Sequence, residues 1–170
     1  MPKRLSTHKN DVIAGLIAAR QRILDLALKT PPRRVEQVFL GEWSLKDLLA
    51  HLAGWDQTNE GAARALLNGE RPAVLDRHDE DWCSYNADLV ARFGQGTFEE
   101  VLDRMRAAHK SLIGFLGTIE QDDFKRITPT GKTRPSLSAL LNNEIRDEWT
   151  HAGQIREFLN SLDSTGHSTG

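Results

Sequence analysis

The stretch "NNEIRDEWTHAGQIREFL", residues 142–159, decides how the chain folds. Ile145, Ile155, Phe158 and Leu159 recur at helical spacing and define one apolar stripe. On a wheel of about 100° per residue, Glu144 and Glu148 fall within that stripe. His151 sits just off its centre, with Asp147 and Gln154 on the same flank. Acids and a histidine turned toward the side that should be buried need a chemical reason.

Working outward, the helix extends over 136–162, capped by Ser136 after Pro135, with Leu137, Leu140, Leu141 and Leu162 also inward. Three earlier segments share the helical period. The first, 9–29, carries Ile13, Leu16, Ile17, Ile23, Leu24 and Ala27, and Pro31-Pro32 stops it. The second begins at Ser44 with Asp47 three residues on, a capping-box spacing. Its face is Leu45, Leu48, Leu49 and Leu52, and Gly69 followed by Pro72 ends it. The third, 97–119, starts at Thr97 with Glu100 in the matching place. Phe98, Val101, Leu102, Met105, Leu112, Ile113 and Leu116 face inward. No segment alternates as a strand does.

Four amphipathic helices bury their stripes most economically as a four-helix bundle, so the fold class is all-α. The connection between Gly69 and Thr97 is too long for a hairpin and permits a crossover. "DEDWCSYNADLVARF" within it predicts a short extra helix. "ITPTGKTRPS" (127–136) reads as a loop. One domain over 1–162 and a disordered tail over 163–170 are expected.

Composition narrows the function. With 170 residues, 39% hydrophobic, 27% charged and a net charge of −2, the chain has the make-up of a soluble globular domain. The charge and the lack of a basic stripe argue against nucleic acid as a partner. There is no apolar run long enough for a membrane span and no signal-peptide core in "MPKRLSTHKND", so a cytoplasmic location is expected. Cys83 is the single cysteine and has no basic neighbour in sequence, which argues against a thiolate nucleophile or zinc–thiolate site. No G-x-S-x-G elbow or glycine-rich phosphate loop occurs.

The chemistry therefore rests on histidines and acids. Asp147 and His151 stand four apart, and Glu148 precedes His151 by three, the Glu-x-x-His spacing of metal-binding bundles. His51, in "LLAHLAGW", lies beside the leucine stripe of the second helix, with Trp55 one turn on. It is either a boundary residue bonded to an acid or a third member of a site. His109, between Met105 and Leu112, reads as a core residue. His8, His78 and His167 carry no signal.

"GEWSLKDLLAHLAGWD" (41–56) and "THAGQI" (150–155) resemble the most recognisable segments of the DinB/YfiT-like superfamily. With "YNADLVARF", "TFEEVLDRMRAAHKSLIGFL" and "HAGQIREFL" in order, the chain resembles its ClbS/DfsB branch more closely, over about residues 5–162. The resemblance implies up-down-down-up connectivity. It also implies a divalent metal, zinc or nickel, held by His51, Asp147 and His151. The commoner pattern has histidine where Asp147 stands; a carboxylate there resembles the mycothiol-dependent maleylpyruvate isomerase arm. The ClbS/DfsB branch implies hydrolytic opening of an electrophilic cyclopropane, which needs an apolar cleft, and Trp43, Trp55, Trp82, Tyr85 and Asn86 are the candidates to line one.

Two readings follow. In the first, the chain is a hydrolase or thiol-transferase-like enzyme for electrophilic small molecules, with His51, His151 and Glu148 as catalytic candidates, with or without metal. In the second, it sequesters a small hydrophobic ligand without chemistry, or is a structural dimer. Leu26 and Leu28, beyond the main stripe of the first helix, hint at a homodimer.

Overall fold

The structure is a computed structural model that describes residues 6–77, 81–126 and 136–165. The loop expected over 127–135, His78, His167 and the tail beyond residue 165 lie outside the described residues. Four long helices carry the fold: α1 (Lys9–Ala27), α2 (Leu45–Leu67), α4 (Phe98–Thr118) and α6 (Leu137–Thr165). The short helix α3 (Trp82–Phe93) fills the crossover, as the sequence predicts, and α5 (Gln121–Lys125) follows α4.

Both capping boxes form. The Ser44 hydroxyl accepts from the Asp47 amide while the Asp47 carboxylate accepts from the Ser44 amide; Thr97 and Glu100 do the same for α4. These reciprocal bonds satisfy donors that a helix start leaves orphaned. At the other end of α2, Gly69 takes the left-handed conformation, φ +75°, that closes the helix.

A two-stranded antiparallel hairpin precedes α2: β1 (Val38–Leu40) and β2 (Trp43–Ser44), turning at Gly41 with φ +59°. Strands this short carry too few residues to show alternation, so no residue pattern announces them. Phe39 stacks on Phe158 at 4.5 Å and fixes the hairpin against α6. Trp43 is thereby set beside the start of α2.

Helix directions follow from the contacts. Asp56, Glu60 and Arg64 of α2 meet His109, Ser111 and Phe115 of α4 in the same order, so these two run parallel. Gly15 approaches Ile145 and Arg20 binds Glu148, so α1 and α6 are parallel too. Between the pairs the order reverses: His51 faces His151, and the later residue Asp56 shares Arg20 with the earlier Glu148. This is the up-down-down-up bundle.

The apolar core is in two parts. One holds Ile23, Leu48, Leu49, Leu52, Met105 and Ile155; the other holds Leu16, Ala63, Leu66, Leu112, Leu116 and Leu141. Along each helix, the break between them is marked by a polar residue: Arg20, Asp56, His109 and Glu148. In α1 the expected stripe is corrected at one place. Ile17 is 47% exposed, and Arg20, 2% exposed, takes the inward position between Leu16 and Ile23. Leu26 belongs to the core, whereas Leu28 is 62% exposed.

Candidate functional site

A cavity of about 420 Å³ opens between α2, α3, α6 and the hairpin. Trp43, Trp55 and Trp82 form its aromatic side; His51, Asn86, Glu144, Asp147, Thr150 and His151 supply its polar groups. Each element contributes through its own register. The capping box at Ser44 fixes the start of α2 and so the pitch at which His51 and Trp55 emerge, four residues apart on one flank. On α6, Glu144, Asp147 and His151 recur at three- and four-residue steps and so share a face.

The aromatic wall is braced from behind. Trp55 donates its indole N–H to Asn86 Oδ1 at 3.1 Å and leans on Trp82, ring centroids 5.7 Å apart. Tyr85 does not line the cavity as expected. It packs edge-on against Trp55 and Trp82, its hydroxyl 2.6 Å from Thr58 Oγ1, with the Arg77 guanidinium over its ring. So four of the five residues expected to line a cleft do so, and the fifth orients two of them.

His51 and His151 stand edge to face, ring centroids 5.4 Å apart at 82°. Burial, with His151 nearby, pushes His51 down to about 3. Burial also lowers His151, but Gln154 and Asp147 oppose the shift. His151 Nδ1 lies 2.8 Å from Gln154 Oε1. A carbonyl oxygen can only accept, so Nδ1 carries the hydrogen and Nε2 keeps its lone pair. His51 Nδ1 is buried with no hydrogen-bond partner. Both rings are therefore neutral at physiological pH, and a proton entering the pair goes to His151.

Glu148 is not at the cavity, contrary to expectation. It is fully buried and pairs with Arg20, whose guanidinium also takes Asp56 in a bidentate bond. Burial alone would lower Arg20, but Asp56 and Glu148 outweigh it and hold the guanidinium charged. Burial raises Glu148, and Arg20 works against that shift. The cavity carboxyl is instead Glu144, 8% exposed. Burial, then Glu148 and Asp56, push it up to about 8, with Asn59 and Arg20 pulling the other way.

Arg20 and Asp56 were missed as sequence signals, though Arg20 is in register with Leu16 and Ile23, and Asp56 with Leu52 and Asn59; Glu144 reads from the sequence as an inward-facing acid with no assigned role. His109 keeps its core position, its Nδ1 3.5 Å from Asp56 Oδ1.

The metal expected at His51, Asp147 and His151 can be tested against these positions. Neutral imidazoles are suitable donors. The three residues line one cavity, yet their donor atoms do not gather. Among the described residues, the only group of His, Cys, Asp or Glu whose ligand atoms all lie within 4.8 Å of one another is Asp56, His109 and Glu148. That spacing suits a metal, but the Arg20 guanidinium already binds both carboxylates. A divalent ion would have to displace a cation held by charge-assisted pairs on both sides. The residues do not fit a metal at either place.

Comparison with known proteins sets this geometry in context. The profile of the DinB superfamily matches residues 15–155. The chain belongs to the DinB superfamily.

Three solved structures of the same fold are informative. An uncharacterised protein from Escherichia coli UTI89 superposes with a TM-score of 0.78 at 10% identity, over 94% of this chain and 96% of that one. The colibactin self-resistance protein ClbS, in complex with double-stranded DNA, gives 0.77 at 10% identity, over 90% and 96%. The protein DfsB, described as a sibling lethal factor precursor, gives 0.75 at 14% identity, over 92% and 98%. No curated protein matches the sequence. The ClbS complex overturns one expectation, that nucleic acid is no partner: a neighbour on this fold holds duplex DNA. Among the described residues no helix of this DinB protein is long and apolar enough to cross a membrane.

Proposed function

We propose that this DinB protein is a metal-independent hydrolase that adds water to an electrophilic, largely apolar small molecule bound against the tryptophans. The observation that carries the reading is the neutral His51–His151 pair facing one another in the aromatic cavity. His151 is the base. Its Nε2 takes a proton from water as the water oxygen bonds to the electrophilic ring carbon and the strained ring bond breaks. That bond's electron pair leaves on the epoxide oxygen or as the enolate of the activated cyclopropane, which then takes the proton back from His151. Gln154 fixes the tautomer, and Asp147 favours the imidazolium formed in between. His51, buried and without a carboxylate pulling it toward the charged form, stays neutral and positions its neighbour. The indoles hold the substrate's apolar body and exclude bulk water.

The test is incubation of the protein with activated cyclopropanes and epoxides in oxygen-labelled water, read by mass spectrometry. One labelled oxygen is expected in the product, lost in His151→Ala while the variant still binds the compound. If His151→Ala turns over as wild type does, the assignment fails. If compounds bind and no product forms with any protein, the sequestering module is the correct reading.

The ClbS complex supports a second reading, in which duplex DNA is also a partner of this chain. A gel shift with a short duplex across a salt series tests it, since contacts to phosphates weaken as salt rises. No shift at low salt would end it.

A further inference from the structure

The cavity is lined by acids and holds no fixed positive charge. Asp147 and Glu144 line it, the two histidines in it are held off their charged forms, and no lysine or arginine is among its described lining residues. The charges behind it do not alter this, because Asp56 and Glu148 are paired with Arg20. Opposite the carboxyls stand indole rings, and the face of an indole is the most favourable aromatic surface for a cation. His51, which lines the same cavity, has its Nδ1 buried with no hydrogen-bond partner.

We propose that the ligand of this cavity is a planar organic cation, an iminium or N-alkylated nitrogen heterocycle, with its positive nitrogen beside Asp147 and Glu144 and its flat body on Trp55 and Trp82. The proposal deepens the hydrolase reading and rests on it for the site. It also suits that chemistry. A cationic carbon–nitrogen double bond is electron-poor; water adds to the carbon, the π pair returns to nitrogen, and the water proton passes to His151. The positive charge thus moves from ligand to imidazole, with Asp147 adjacent to accommodate the second position.

A second consequence separates a cation from any neutral guest. Glu144 is faced by Glu148 on its own helix, by Asp56 and Asn59 from α2 and by Arg20 from α1, and in that setting it keeps its proton until about pH 8. A positive nitrogen beside it supplies the missing opposite charge. Binding at neutral pH therefore expels the Glu144 proton into the buffer.

The experiment is isothermal titration calorimetry with three probes of one shape: N-methylquinolinium, quinoline and a quinoline carboxylate, repeated in two buffers of different ionisation heat. The cation is expected to bind at least about tenfold tighter than quinoline and to release protons; the anion binds weakest. Asp147→Asn, a change at an exposed residue, should remove most of the preference. Glu144→Gln should abolish proton release while binding persists. Equal or tighter binding of the neutral or anionic probe overturns the proposal, as does a preference that Asp147→Asn leaves intact. N-methylquinolinium serves as a binding probe and is not scored for hydrolysis, so the two readings fail separately. Cation binding with no hydrolysis of any electrophile sinks the hydrolase alone. Hydrolysis of neutral electrophiles by a protein that ignores the cation sinks only this proposal.

Discussion

The imidazole of His51 meets that of His151 edge-on at 5.4 Å, and the two differ in what supports a proton. Gln154 and Asp147 support it on His151, while on His51 burial and the neighbouring ring oppose it. The pair therefore titrates in order. Ring-carbon proton signals followed by NMR should show His151 charging below the usual 6.5 and His51 only near 3. If His51 charges first, the assignment of His151 as base is reversed.

Catalysis should follow the same titration. The base must be neutral, so kcat/KM rises with pH through the His151 transition, below 6.5, and then levels off. Asp147→Asn removes one of the groups raising that transition, so the rising limb moves to lower pH. A limb unmoved by Asp147→Asn and by Gln154→Leu would mean that His151 is not the titrating group.

Stability carries a second signature, from Glu144. Its folded value, about 8, lies above the unfolded carboxyl, about 4.3. Between those values the folded chain holds a proton that the unfolded chain has lost. The resulting stability is fully present below the unfolded value and is lost as pH rises through the folded one. Wild type should therefore lose on the order of a few kcal/mol across this window relative to Glu144→Gln. Urea unfolding at stepped pH measures it, and parallel profiles would place Glu144 in a wetter setting than the cavity provides.

Much of this was legible in the residues. The cap pairs Ser44 with Asp47 and Thr97 with Glu100 set two helix starts. Spacing alone leaves His51 open, and it is the resemblance to the DinB/YfiT-like superfamily that joins it to His151, with which it lines one cavity. The acids on the inner face of α6 divided in a way that spacing could not resolve. Glu144 and Glu148 are one turn apart on the same stripe, and what separates them is Arg20, which reaches Glu148 from another helix. An arginine in a stripe is a pairing signal only once its partner is known, and that partner is 128 residues away. Tyr85 shows the same limit: the resemblance made it a candidate for the wall, but only the packing of α3 on α2 turned it behind Trp55.

The buried network should be costly to break and cheap to neutralise. Arg20→Met leaves Asp56 and Glu148 desolvated without their cation, at a cost of about 3–5 kcal/mol. Adding Asp56→Asn and Glu148→Gln removes the stranded charges and should recover a large part of that loss. Denaturant midpoints of the single and triple variants decide the point. A triple variant no more stable than Arg20→Met would mean that Arg20 acts through packing and not through charge.

Two helical glycines make a final contrast. A Cβ on Gly15 would meet Ile145 Cδ1 at 2.8 Å, the far end of a flexible side chain, with the next atom at 3.6 Å. A Cβ on Gly54 would meet Leu89 Cβ itself at 2.9 Å and both its methyls within 3.1 Å. The first contact yields to a rotation, and alanine is better than glycine inside a helix by about 1 kcal/mol, so Gly15→Ala should be near neutral. The second can be relieved only by moving α3, which carries Trp82 and Asn86. Gly54→Ala should cost about 1–3 kcal/mol and weaken the near-ultraviolet circular dichroism of the Trp55–Trp82 pair, with ligand affinity falling alongside. Full affinity in Gly54→Ala would show that the cavity does not depend on the seat of α3 against α2.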